Sequence, residues 1–271
     1  MSGVPRSGST VLAAILNQNP ETHVSTTSGL VFALDGMANT WHSTELLKAD
    51  DKNHEKLAKS MGAVIDAFYE DFEAPIIIDK GRGWPIPTIL SAMTQVLGEK
   101  PKIIATVRSI PDCMASLVRI AKPDDLDEFI YSEVLSTHLK AAYISLQTGY
   151  EFAPECFCIV EYEDLVADPK AQLDRIHEFL DLPDFEYDFT AIDGTSVQED
   201  DEELHGYEGM HDIQPVLAKQ HNEDPKDVLK HHYTTFCQPE FWLDKPRTTP
   251  ELHDLDLQLT ASRMGNFAEG W

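Results

Sequence analysis

A chain of 271 residues can bury a full core as one large domain or two small ones, and its 42% apolar and 25% charged residues are ordinary for a globular protein. Its formal net charge of −26 is not ordinary: it repels nucleic acid and anionic lipid, excludes both as expected partners, and makes any cation inside a motif conspicuous. No run of about 18 apolar residues offers a membrane span, and the four cysteines (Cys113, Cys156, Cys158, Cys237) form no C-x-x-C pair, so the expectation is reduced, buried thiols in a cytoplasmic protein.

The chain begins with a glycine-rich turn, Gly3-Val4-Pro5-Arg6-Ser7-Gly8-Ser9-Thr10, that feeds an apolar helix over residues 10–19, stopped at Asn19-Pro20. Such a turn aims backbone N–H groups and the positive end of a helix dipole at one point, which suits a phosphate. A short strand is expected at 22–26 and a helix at 29–39. Helical spacing of Leu57, Met61, Val64, Ile65, Phe68 and Phe72 predicts a helix over 53–72. Three continuously apolar runs, 75–79, 103–107 and 157–160, read as strands of a parallel sheet covered on both faces. Between them, Pro85 is expected in the first turn of a helix to Leu97, Pro111 opens another, and 124–149 gives one or two more. Asp168-Pro169 caps a helix to Leu180. Residues 181–203 read as acidic loop, and the tail from about 246 is irregular with one helical candidate at 256–264. The alternation predicts a single α/β domain over 1–271 with a mainly parallel, P-loop-type sheet flanked by helices. Its first strand, before Pro5, is missing or very short.

Three motifs carry chemistry. In the loop, Gly3 and Gly8 have the spacing of an ATPase phosphate loop, but Ser9 stands where an ATPase has Lys and the loop's cation is Arg6. Ser7, Ser9 and Thr10 add hydroxyls. In Val107-Arg108-Ser109-Ile110-Pro111-Asp112-Cys113-Met114-Ala115-Ser116, a strand ends at an Arg and a helix follows that carries Ser116; both can reach one phosphate at the carboxyl end of the sheet. In Asp79-Lys80-Gly81-Arg82-Gly83-Trp84, two cations and an indole follow another strand. Read alone, each motif is equally a tight turn, a surface Arg or a core Trp. Metal ligation is not expected: His54-Glu55 lacks a second His, and the adjacent His231-His232 diverge on a helix.

Taken together with Val160-Glu161-Tyr162-Glu163-Asp164-Leu165-Val166 and Asp168-Pro169, these motifs resemble, in order and spacing over about residues 3–183, the sulfotransferases that use 3′-phosphoadenosine 5′-phosphosulfate (PAPS). The likeness is to the tyrosylprotein-type and bacterial or phage-type members; Gly209-Met210-His211-Asp212-Ile213 resembles the bacterial ones. The resemblance implies that Arg6, Ser7, Gly8, Ser9 and Thr10 hold the 5′-phosphosulfate, Arg108 and Ser116 the 3′-phosphate, that Tyr162 lies near the adenine, and that Lys80 reaches the bridging oxygen or the sulfuryl group. It also implies no metal, and a small-molecule, peptide or glycan acceptor. Where family members carry a catalytic base, this chain has Thr27 or Arg82, and neither is a base at neutral pH. Asp35, His42 and His23 are the remaining candidates. Members of the family also have an apolar strand before the loop, and a version of this chain extended upstream by one is expected to melt higher. The rival readings are a P-loop nucleotide kinase or other phosphotransferase and a catalytically inactive nucleotide-binding protein.

Overall fold

The computed structural model describes residues 1–50, 52–131, 135–197, 207–218 and 223–243. The helical candidate at 256–264 lies outside them. Strands β1 (Ser2–Gly3), β4 (Ile103–Val107) and β5 (Phe157–Glu161) form one parallel ladder in the order β1-β4-β5, and β2 (Thr22–Thr27) pairs in parallel with β3 (Ile76–Lys80). Met1 ties the two ladders: its nitrogen donates to the Asp79 carbonyl at 2.5 Å and its carbonyl accepts from Gly81 N–H at 3.0 Å. The resulting strand order is β2-β3-β1-β4-β5.

The first strand is therefore very short and central. Ser2 and Gly3 pair with β4, and Gly3 lets the backbones close in: a Cβ there would lie 2.5 Å from the Thr106 carbonyl oxygen. β4 is buried along its whole length, as a strand covered on both faces must be.

Helix α1 (Ser9–Leu16) leaves the loop and buries Leu12 to Leu16 completely, each large side chain contributing about 1.5–3 kcal/mol. It packs on one face of the sheet with α10 (Pro169–Leu180), whose N-cap Asp168 accepts from Ala171 N–H at 3.1 Å. On the other face lie α5 (Pro87–Leu97) and α8 (Leu135–Phe152). The helix of α5 starts at Pro87, not Pro85, because Pro87 takes the first helical turn while 81–86 turns back toward the core. Helices α2 (Leu30–Ser43), α3 (Glu45–Lys48) and α4 (Asn53–Phe68) build a satellite core with α5, around Val31, Leu34, Met61 and Ile89. α6 (Ile110–Ala121) follows β4, α7 (Leu126–Tyr131) precedes α8, and the short α9 (Tyr162–Ala167) follows β5.

Beyond 180, α11 (Pro225–Leu229), a 3-10 turn at Lys230–His232 and α12 (Tyr233–Phe236) were not expected from the sequence; these elements are too short to show a periodicity. They complete a third core with α6 and α7 around Met114, Leu117, Phe129, Leu229 and Phe236. The cysteines are free thiols, with Cys113, Cys156 and Cys158 buried. Among the described residues, no helix is long and apolar enough to cross a membrane.

Candidate active site

A cavity of about 520 Å³ opens where β1, β3, β4 and β5 end. Each strand hands one motif to it, as expected at the carboxyl edge of an open α/β sheet. After β1 comes the turn Val4–Gly8, closed by Ser7 N–H donating to Val4 O at 3.3 Å. Arg6 and Gly8 both sit at positive φ, 67° and 88°. Gly8 is required there twice over: its φ is left-handed, and a Cβ would meet the Tyr162 ring at 2.9 Å. The chain then enters α1, whose first N–H groups have no helical acceptor and whose dipole is positive at this end.

The Arg6 guanidinium crosses the cavity. Its Nε donates to Ser116 Oγ at 3.2 Å, and one of its terminal nitrogens donates to the Met210 carbonyl. The loop and α6, 110 residues apart in sequence, are thereby joined at one place. At the end of β3, Lys80 is buried, with Nζ 3.5 Å from Thr10 Oγ1 and its backbone held by Ser25 and Ser28. After β4, Arg108 is buried with its guanidinium 4.3 Å from the Tyr162 ring centroid; Nε donates to Glu163 at 3.2 Å, and Asp112 lies 3.8 Å away. The Tyr162 ring thus lies between Gly8 and Arg108. Helix α6 is set by its own cap, Ser109 Oγ accepting from Asp112 N–H at 3.4 Å, with Pro111 in the first turn.

Of the residues singled out in the sequence, Arg6, Gly8, Ser9, Thr10, Lys80, Arg108, Ser116 and Tyr162 line this one cavity, as do Thr27 and Arg82. Three do not. Ser7 is fully buried and turned inward, its hydroxyl within hydrogen-bond distance of Val4 O (2.7 Å) and of Thr106 O (3.0 Å) and Oγ1 (2.7 Å). It braces the loop against β4. Asp35, half-buried on α2, accepts from Asn39 at 2.9 Å, and burial raises its carboxyl above the usual range. His42 is exposed, its ring 5.9 Å from that of His54, beside a separate groove between α2, α4 and α5. His23 packs on Phe72 at 4.1 Å. Trp84 also stays outside: it turns into the protein and donates to Asp79 at 2.6 Å.

The cavity holds residues that the motifs did not flag. Arg119 lies one helical turn after Ser116 on the same face of α6, and its Nη1 is buried without a hydrogen-bond partner. Burial, and next the positive charge of Arg108, lower its pKa. The i, i+3 spacing from Ser116 was the available signal. Arg6, Lys80, Arg82, Arg108 and Arg119 all line the cavity of a chain with 21 basic against 47 acidic residues, so the cations converge where the composition would scatter them. The opposite wall is an irregular segment with Met210, His211, Asp212, Ile213, Val216 and Leu217; His138 adds a second imidazole from α8. For the anchoring of that wall the sequence has no periodic signal. A pocket with several cations and unspent guanidinium capacity is built for a polyanion.

Residues 86–187 match the Sulfotransferase family, a stretch that includes Lys100 to Asp184 and so β4, α6, β5 and α9. The chain is 28% identical over 198 residues to Protein-tyrosine sulfotransferase A of Caenorhabditis elegans, covering 68% of this chain and 49% of that protein; it spans about half the length of this curated relative. Among solved structures, it aligns with the Sulfotransferase Domain from the Curacin Biosynthetic Pathway (TM-score 0.49, 16% identity, 98% of each chain). It also aligns with the Sulfotransferase Domain from the Synechococcus PCC 7002 Olefin Synthase (TM-score 0.48, 19% identity, 90% of this chain and 94% of that one). Over residues 86–187 the chain is similar to the sulfotransferases, and this matched segment is the one that brings Arg108, Ser116 and Tyr162 to the cavity.

Proposed function

We propose that the protein transfers a sulfuryl group from PAPS to a hydroxyl or amine of a small-molecule, peptide or glycan acceptor. The observation that carries this reading is the meeting of the loop 4–10, Lys80, the Arg108–Ser116 pair and Tyr162 in one basic cavity. The donor has two anionic ends and a flat base between them. In this reading the 5′-phosphosulfate lies on the loop and Lys80, the 3′-phosphate on Ser116, Arg119 and Arg108, and the adenine beside Tyr162. The acceptor oxygen or nitrogen attacks sulfur, the bond from sulfur to the bridging oxygen breaks, and its electron pair leaves on the 5′-phosphate of 3′,5′-adenosine bisphosphate. Charge grows on the bridging oxygen in that step, and Lys80 and Arg6 are the fixed cations available to neutralise it. The acceptor's proton goes to His211: it lines the cavity and follows Met210, whose carbonyl is held by Arg6, whereas Asp35 and His42 lie elsewhere.

Melting shifts test the donor, and a radiolabelled sulfate-transfer screen tests the reaction. At a hundredfold excess over Kd, 3′,5′-adenosine bisphosphate should stabilise the fold by about 2.7 kcal/mol. A shift with ATP and Mg²⁺ but none with the bisphosphate rejects the proposal in favour of a phosphotransferase. A bisphosphate shift with no transfer to any acceptor leaves a nucleotide-binding protein without turnover.

A further inference from the structure

On the far side of α6 from the cavity, two imidazoles and a carboxylate meet. His232 Nε2 lies 2.6 Å from Asp127 Oδ1, and His231 Nε2 lies 3.4 Å from the same oxygen. The ligand atoms of the three residues all fall within 4.8 Å of one another, and the two imidazole rings stack with centroids 3.9 Å apart. The sequence argues against this meeting, because adjacent side chains on an α-helix point about 100° apart. The backbone removes the objection. α11 stops at Leu229, Lys230 takes a positive φ of 52° outside the helical region, and this break leaves the two rings with centroids 3.9 Å apart. His232 is 2% exposed and fixed by the edge of the Tyr131 ring at 5.5 Å, whereas Asp127 and His231 are open to solvent.

We propose that Asp127, His231 and His232 form a structural site for a borderline divalent metal ion of the zinc class. Two imidazoles and one carboxylate are the donor set such ions prefer, and they disfavour Mg²⁺ and Ca²⁺, which take oxygen. Metal–ligand bonds of about 2.0–2.2 Å in a tetrahedron separate donors by roughly 3.3 Å, so the 2.6 and 3.4 Å spacings to Asp127 need shifts of under about 1 Å and the two imidazole nitrogens, within 4.8 Å of each other, at most about 1.5 Å. One position is left for water. The ligands come from α7 and from the turn after α11, two segments that touch each other at Asp127 and His232 and share one core with α6. A bound ion cross-links them and firms the back of the helix that carries Ser116. None of the three residues lines the cavity, so the ion supports the fold and takes no part in turnover.

Chelator-treated full-length protein titrated with ZnCl₂, by calorimetry and by melting, tests this. The expected result is one equivalent bound, a raised melting temperature, no effect of MgCl₂, and intense visible absorption when CoCl₂ replaces zinc. Loss of a partner that merely orients a ligand costs about 10–100-fold in affinity. His231→Ala, at an exposed position that packs against no core, should therefore cost at least tenfold and abolish the cobalt spectrum, and Asp127→Asn should do the same. Equal stoichiometry and affinity in His231→Ala and the parent protein would mean adventitious binding by other histidines and would overturn the site, as would absence of zinc binding to the parent.

Discussion

The floor of the cavity and its opposite wall are built by different means. The floor comes from turns that each follow a parallel strand: 4–8 after β1, Lys80 at the end of β3, Arg108 after β4 and Tyr162 after β5. The wall, residues 210–218, has neither helix nor strand. It is held by Arg6 on the Met210 carbonyl, by Ile192 N–H to Pro215 O (2.7 Å) and by Leu217 N–H to Phe189 O (3.0 Å). Ile213 and Leu217 also pack on the core beneath α1. Ladder hydrogen bonds fix the floor before any ligand arrives, which is what charge stabilisation demands of cations. The wall depends on a few long-range contacts, one of them to the cation that faces the donor. In the proposed reading, donor holding belongs to the floor and acceptor chemistry to the wall.

That division can be broken experimentally. The largest effect is expected on the wall: His211→Asn should lower turnover by about 10²–10⁴-fold. Bisphosphate affinity in that variant should stay at the parent value, and a parallel fall would erase the division. His42→Ala, far from the cavity, should leave both quantities unchanged. Next comes Lys80→Ala, a floor change that should cost roughly 10²–10³-fold in turnover with a much smaller change in affinity.

Smaller effects concern donor holding itself. Arg119→Ala and Arg108→Ala should each weaken the bisphosphate by about 1.5–3 kcal/mol, read by calorimetry, while 5′-AMP is nearly unaffected. Because Arg108 is already paired with Glu163 and Asp112 and Arg119 Nη1 has no partner, Arg119 should show the larger loss. The reverse ranking would assign the 3′-phosphate chiefly to Arg108. Gly8→Ala places a Cβ against Tyr162 at a left-handed φ and should destabilise the fold by about 1–2 kcal/mol, seen as a lower melting temperature. The smallest effect sits beneath the floor. Burial pushes the Cys113 thiol up to about 12, so the folded chain keeps this proton after the unfolded chain has lost it. Its contribution is intact below the unfolded thiol pKa of about 8.5 and declines as pH rises from there toward 12. In thiol-labelling experiments at neutral pH, Cys113 should react only on unfolding; prompt labelling would show that α6 opens locally.

The floor was legible because its signals are local. Gly8 and Pro111 mark turns by backbone geometry, Asp168 and Ser109 mark helix starts by capping, and Ile103–Val107 marks a buried strand by its unbroken apolar run. Arg119 was within reach of the same reasoning, since it shares a helix face with Ser116. Ser7 was misread, because a hydroxyl in a phosphate loop can turn outward to a ligand or inward to the sheet, and Thr106 decides which. Asp35 and His42 were misplaced for a related reason: closeness in sequence to β2 says nothing about which side of α2 faces the cavity.

By itself the sequence determined a parallel α/β sheet, a glycine-rich loop without the ATPase lysine, and cations at the ends of three strands, because periodicity, caps and apolar runs act over a few residues. Only the tertiary structure decided that β1 lies beside β4 and that Met1 ties it to the end of β3, since those partners are distant in sequence. Packing alone also put 210–218 across the cavity from the loop, and brought His231 and His232 together on Asp127, because contacts between residues about 100–200 positions apart leave no periodic trace along the chain.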